Sequence, residues 1–202
     1  MDQNTTELEE VRTLFSLLAQ TSSTLAKKDI IAKNSNNELF KKALNYLLNP
    51  FLITGISTKK IVKDITKKLH TKEFQSFPDL MEYLYANNTG TDEVLANIQW
   101  YLSSLNMEMR DFCAAIITKS ARIGCDAKSV NKALGEEFIP QWEVQQAYNI
   151  EKSPLKENEW FSLTEKLNGV RGTFYNGNII SRQGKEFSGL EHITKEIGRA
   201  HV

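Results

Sequence analysis

Two β-prone runs joined by Asn176-Gly177 constrain this chain more than any other feature of its sequence. Val170-Arg171-Gly172-Thr173-Phe174-Tyr175 is rich in β-branched and aromatic residues, and Asn178-Ile179-Ile180-Ser181-Arg182 comes after the Asn-Gly pair. Asn-Gly between such runs is the strongest short-range hairpin signal, because both central residues of a type I′ turn need a positive φ. A two-residue loop fixes the register. Tyr175 then faces Asn178, Phe174 faces Ile179, Thr173 faces Ile180, Gly172 faces Ser181 and Arg171 faces Arg182. Directly opposed residues project on the same side of a sheet, so this register sets two arginines side by side.

Like charges directly opposite weaken a ladder. An anion between them turns the repulsion into a clamp, because guanidinium forks match phosphate oxygens in bidentate geometry. Two arginines splayed into water are the alternative reading of such a pair. Lys166 weighs toward the clamp. It sits just ahead of the first strand, close to a glycine whose backbone can approach a ligand. An ammonium flanked by guanidinium groups is disfavoured, which lowers the pKa of the amine. A lysine partly deprotonated near neutral pH is a nucleophile. Beside a phosphate clamp it points to attack on a nucleotide phosphate, giving a lysine–nucleotide phosphoramide.

Lys166-Leu167-Asn168-Gly169-Val170-Arg171 resembles the K-x-D-G-x-R signature of the nucleotidyltransferases that comprise ATP-dependent DNA ligases, RNA ligases and capping enzymes. Ser181-Arg182-Gln183-Gly184 resembles the S-R-x-G element found after that signature in the ligases. The resemblance implies that Lys166 is the catalytic residue, adenylylated by ATP in the presence of Mg²⁺. It implies that Thr164, Glu165, Arg171 and Arg182 bind the nucleotide, and that the partner is nicked duplex DNA. Asn168 departs from the pattern, standing where the family has Asp. It keeps the shape and an acceptor oxygen but loses the charge and any electrostatic help from it.

Upstream of Lys166 the sequence reads as a helical body. Leu8, Val11, Leu14, Phe15, Leu18 and Leu25 recur at helical spacing and predict an amphipathic first helix, with 27–34 as a short polar link around Ile30 and Ile31. Asn37 to Leu48 predicts a second helix with Leu39, Phe40, Ala43, Leu44 and Leu47 inward, ended by Asn49-Pro50. A third starts near Ser57-Thr58 and carries Ile61, Val62, Ile65 and Leu69. Pro78 suits the first turn of a fourth, through Leu84. Thr91 is the expected N-cap of a helix bearing Val94, Leu95, Ile98, Trp100 and Leu102. The next is expected from Met107 to Ile123, stopping at Gly124 as a left-handed terminator. Asp126 then caps a short helix through Leu134, which Gly135 closes. Gln145 to Asn158 reads as an irregular linker broken at Ser153-Pro154, and Trp160-Phe161 as the first apolar strand of the next domain.

The expected fold class is therefore mainly α. Residues 1–150 form an all-α N-terminal bundle of about seven helices, expected to bind DNA. Residues 151–202 form the start of a truncated α+β nucleotidyltransferase (adenylation) domain, as the resemblance implies, beginning with the hairpin.

Eight lysines (41, 42, 59, 60, 63, 67, 68 and 72) lie in residues 41–72 against one acid, Asp64. A phosphate backbone held without base reading calls for such a patch, and a solvated helix face is the alternative. Lys59, Lys60, Lys63 and Lys67 are the expected DNA contacts, with Lys119, Arg122, Lys128 and Lys132 as further candidates. Lys33-Asn34-Ser35-Asn36-Asn37-Glu38-Leu39, Met109-Arg110-Asp111 and Ala121-Arg122-Ile123-Gly124 are similar to stretches of the N-terminal DNA-binding domain of small phage-type ligases.

Overall the 25 basic and 25 acidic residues balance, so any basic face is local. No apolar run is long enough to span a bilayer, and the start, Met1-Asp2-Gln3-Asn4, is polar rather than a signal peptide. Cys113 and Cys125 are the only cysteines, which fits packing roles in a reducing cytoplasm. His70, His192 and His201 are scattered, so no protein-held metal site and no Ser/His triad is assigned. The protein is expected to be a cytoplasmic monomer. Phe187, Leu190 and Ile193 predict a last helix starting near Ser188. Ile197-Gly198-Arg199-Ala200-His201-Val202 resembles the translation of a sequencing-library adapter, so the natural sequence is expected to stop near Glu196. Later ligase motifs are missing, so the polypeptide itself is expected to ligate little or not at all. An RNA ligase or capping-type nucleotidyltransferase, and a non-catalytic helical DNA-binding module, are the alternatives.

Overall fold

The computed structural model of the chain describes residues 3–62, 70–141, 151, 154, 156–158, 160, 169–181 and 186–197. The chain divides into two compact units, Met1–Gln141 and Trp142–Val202. The first carries α1 (Gln3–Gln20), α2 (Thr24–Lys33), α3 (Glu38–Leu48), α4 (Thr58–Ile61), α5 (Phe77–Ala86), α6 (Asp92–Ser103), α7 (Met107–Ile117) and α8 (Ala127–Leu134). The second carries one two-stranded antiparallel sheet, β1 (Gly172–Tyr175) and β2 (Asn178–Ser181), and then α9 (Glu191–Ile197). The protein is mainly α. Among the described residues no helix is long and apolar enough to cross a membrane.

Short polar side chains decide where the helices begin. Ser23, Asn37, Ser57, Ser76, Thr91, Asn106 and Asp126 cap α2 to α8, each accepting from the backbone N–H three residues on. Each cap satisfies one of the donors that a helix start leaves without an intrahelical partner. At α5 the arrangement is reciprocal, since Asp79 also accepts from the Ser76 backbone N–H at 2.9 Å.

The apolar faces then close one core. Val11, Leu18, Ile31, Phe40, Leu44, Leu80, Leu84, Ile98, Ile116, Ile117 and Val130 are fully buried within it. A run of rings threads the helices: Phe15 meets Phe40 edge-on at 5.7 Å and Phe112 at 5.3 Å, and Phe112 lies 6.5 Å from Phe77. Edge-to-face pairs at these separations add to what burial alone supplies.

The structure differs from the expected helix boundaries at four places, two of them small: α4 ends at Ile61 with Val62 as its cap, and α9 starts at Glu191 rather than near Ser188. Residues expected as one first helix and a polar link are two helices, broken at Thr21–Ser23, with Ser23 starting α2. Lys27 sits on the inward face of α2 beside Ile31, so a charged residue breaks the apolar period there, while Leu25 is exposed. Further on, α7 stops at Ile117 rather than running to Ile123. Lys119 takes the left-handed conformation (φ +54°), and the N–H groups of Lys119 and Ser120 return to the carbonyls of Ile116 and Ala115. This is the hydrogen-bond pattern of a Schellman terminus, with lysine where glycine is usual. Gly124 is also left-handed (φ +64°), but it lies in the loop before α8. In addition, Val62 is exposed, and Trp160 is almost fully exposed and outside any strand. Ile65, Leu69 and Phe161 lie outside the described residues.

Polar tethers hold the irregular segments. The buried Lys27 ammonium donates to Ile123 O at 2.6 Å and Gly124 O at 3.0 Å. A Cβ on residue 124 would fall 2.3 Å from that ammonium, which adds a steric demand for glycine to the conformational one. Lys119 Nζ donates to Asn49 O at 2.5 Å and Leu52 O at 2.7 Å, closing the end of α3. Asn97, fully buried, accepts from the backbone N–H of Thr71 and Lys72 and donates to Tyr83 Oη. Asn131 pairs both backbone groups of Ile139, each at 2.8 Å.

These tethers carry two expected outcomes. Asn131→Ala leaves the Ile139 N–H and C=O unpaired in the interior, which costs about 2–4 kcal/mol. Urea denaturation of wild type and variant checks this, and a loss well under 1 kcal/mol contradicts it. Burial pulls the Lys119 ammonium from its usual 10.5 down to about 8. Unfolded chains keep that proton longer than folded ones, so Lys119 makes stability rise as pH climbs above 8. Between pH 8 and about 9.5, below the ordinary tyrosine range, wild type therefore gains stability that Lys119→Met does not, as read from urea midpoints.

Candidate functional site

The hairpin forms with the expected register. Gly172 pairs with Ser181, Thr173 with Ile180, Phe174 with Ile179 and Tyr175 with Asn178. Asn176 (φ +49°) and Gly177 (φ +84°) form the two-residue loop with the positive φ pair that type I′ demands. Gly172 has a second role that pattern reading missed. A Cβ at that position would meet Ile179 Cγ2 at 2.6 Å, so the strands approach across a side chain that only glycine leaves room for.

β2 is also bonded along its other edge. Phe187 N–H donates to Ile179 O at 2.8 Å, and Ile180 bridges to Glu186 in antiparallel sense. With its amide oriented to donate, Asn178 reaches Glu186 Oε1 at 3.2 Å. These bonds place 186–187 on the flank of β2 away from β1.

Arg171 is exposed immediately before β1, and Gly169 and Val170 are exposed ahead of it. No heavy atom comes within 4 Å of a Cβ placed on Gly169, so this backbone is open. Lys166, Thr164, Glu165, Asn168 and Arg182 lie outside the described residues, and so does the expected Arg171–Arg182 pair.

The basic stretch divides by what each ammonium touches. Lys59 is exposed on α4, capped by Ser57. Lys60 is exposed too, but its Nζ donates to Gly55 O at 2.9 Å. Gly55 N–H donates to Asn88 O at 2.7 Å, so the loop before α4 is bonded to Lys60 through its carbonyl and to the loop before α6 through its own N–H. Lys63 and Lys67 lie outside the described residues. Lys41 lies 3.5 Å from Glu38, 3.9 Å from Glu136 and over the Phe138 ring, while Lys72 lies over Tyr83. Lys119 is turned to the carbonyls of Asn49 and Leu52 rather than to solvent anions. Arg122, Lys128 and Lys132 are exposed.

Two features near this stretch carry no signal in a periodicity reading. Gln99 donates to Ile61 O, fixing α4 against α6. His70 stacks on Trp100 with ring centroids 3.9 Å apart and planes within 8°, while its Nε2 lies 3.2 Å from Glu73 Oε1. About half of Trp100 stays exposed on α6. Elsewhere, Lys42, Pro78, Met81, Glu82 and Tyr85 line a groove of about 510 Å³. Among the described residues no group of three or more His, Cys, Asp or Glu side chains is arranged to hold a metal ion.

No protein-family model matches the sequence, and no curated protein matches it. A solved ligase-related structure named Pmar-Lig_PreS3 is similar to this chain, with a TM-score of 0.64 and 20% sequence identity. The match covers 94% of this chain and 46% of that one, so the chain spans about half the length of the structure it resembles. At that identity the likeness is one of fold.

Proposed function

We propose that this chain is the N-terminal part of an ATP-dependent DNA ligase. Its helical unit would hold duplex on either side of a nick, and Lys166 would carry the adenylate. The observation that carries the reading is the hairpin register. Gly172 and Ser181 are paired, and they directly adjoin Arg171 and Arg182, the arginines of the two motifs. The fold likeness to a ligase-related structure supports the same reading.

In this reading the Lys166 amine attacks the α-phosphorus of ATP, a P–N bond forms and pyrophosphate leaves. The 5′-phosphate at the nick then attacks the same phosphorus, freeing the lysine. The 3′-hydroxyl finally attacks the activated 5′-phosphate, and AMP leaves. Thr164, Glu165, Arg171 and Arg182 orient the nucleotide, and the guanidinium groups meet the charge developing on the phosphoryl oxygens. Mg²⁺ would neutralise phosphate charge in transfers of this class. The long helical unit ahead of the lysine motif is what supports the duplex-DNA reading over the RNA-ligase and capping alternatives.

Two measurements test the proposal. The full-length parent protein incubated with α-labelled ATP gains covalent label, and Lys166→Ala abolishes it. A variant that still takes up label removes the nucleophile. For the helical unit, the affinity of the chain for duplex falls steeply with salt, and Lys59→Ala lowers the slope of log K against log salt by about one. Lys59 is the informative choice because Lys60→Ala would also cut the tether to Gly55. Salt-independent binding would count against any phosphate-backbone role.

A further inference from the structure

The chain holds two Asn-Gly pairs, Asn168-Gly169 and Asn176-Gly177, and the second lies on the described turn. Asn176 and Gly177 are both exposed, both at positive φ, and no heavy atom lies within 4 Å of a Cβ placed on Gly177. No side chain crowds the glycine, whose amide nitrogen lies one bond beyond the Asn176 backbone carbonyl carbon. The flanking strands are four residues each, with 186–187 on the outer edge of β2 as their one further backbone support among the described residues, and ribbons this short open readily.

We propose that Asn176-Gly177 is a spontaneous modification site, at which the turn asparagine deamidates through a cyclic succinimide with water as the only co-reactant. Hydroxide removes the Gly177 amide proton, and the nitrogen attacks Asn176 Cγ. The new N–C bond forms as the Cγ–Nδ2 bond breaks, and ammonia leaves. Water then adds to one of the two ring carbonyls. Opening on one side gives aspartate. Opening on the other gives isoaspartate, whose main chain runs through Cβ and Cγ. No electrons are gained or lost. An asparagine held in the left-handed turn must swing its side chain onto the next amide, so reaction proceeds from the opened turn. Its rate reports how often the ribbon opens.

The product matters because loop length sets this register. Isoaspartate inserts an extra main-chain carbon into a two-residue loop that aligns Tyr175 with Asn178 and Gly172 with Ser181. A ribbon lengthened on one side cannot keep both pairings, and the close passage of Gly172 against Ile179 goes with them. The site is independent of any ligase reading.

Trypsin separates the two Asn-Gly pairs, since cleavage after Lys166, Arg171 and Arg182 releases 167–171 and 172–182 as distinct peptides. The full chain is incubated folded, at mildly alkaline pH, then digested and read by mass spectrometry with fragmentation that distinguishes isoaspartate. Peptide 172–182 is expected to gain the amide-to-acid mass shift as two species, isoaspartate the larger, at a rate that rises with hydroxide. Asn176→Gly keeps a residue that accepts positive φ at the turn and is expected to abolish the shift. The proposal is overturned if 172–182 stays intact in the folded chain while the excised peptide deamidates. It is equally overturned if Asn176→Gly shifts as wild type does, which would move the chemistry to Asn178.

Discussion

Short helices leave many carbonyls and amides without intrahelical partners, and satisfying those groups is the constraint on which the helical unit depends. In α4, only four residues long, nearly every backbone polar group belongs to an end. Caps answer this at the N-termini, where seven helices begin on Ser, Thr, Asn or Asp. At the other ends and in the loops, long or forked side chains travel in from elsewhere. Lys27 reaches the loop before α8, Lys119 closes α3, Arg110 donates to Leu102 O at the end of α6, and Asn131 takes both groups of Ile139. An unpaired buried polar group costs about twice what a made hydrogen bond contributes, so these reaches decide which loop conformations survive.

The same accounting explains why basic residues in this chain cannot be counted as a DNA surface from sequence. A lysine that closes a neighbouring helix and a lysine that faces solvent are identical letters. Lys119 and Lys27 serve the fold, Lys41 sits among Glu38, Glu136 and Phe138, and Lys59 is exposed. The candidate nucleotide site obeys a different rule, because hairpin register is set locally by two turn residues and the pleat.

That contrast measures how much of the fold was legible in the residues alone. The ribbon pairing, the start of α3 at Asn37 and the span of α8 from Asp126 to Gly135 all came from caps and turn chemistry, which act within a few residues. The break at Thr21–Ser23 and the early end of α7 did not. Each turns on a lysine whose buried or left-handed placement is stabilised by carbonyls some 70 to 100 positions away. Periodicity cannot see such partners, and it marks Lys27 as a surface residue and Gly124 as a helix end. Near the hairpin, Arg171 stands exposed immediately before β1, while Lys166 and Arg182 lie outside the described residues, and the clash that reserves position 172 for glycine needs the facing strand.

The tether of Lys60 to Gly55 has a bearing on any anion that meets α4. An ammonium carries three N–H donors, and the Gly55 carbonyl takes one. Among the described residues nothing takes the other two. Freezing a free lysine side chain costs on the order of 1–2 kcal/mol of rotamer entropy. Here folding has met part of that cost, so Lys60 is a preorganised cation on an otherwise mobile class of side chain.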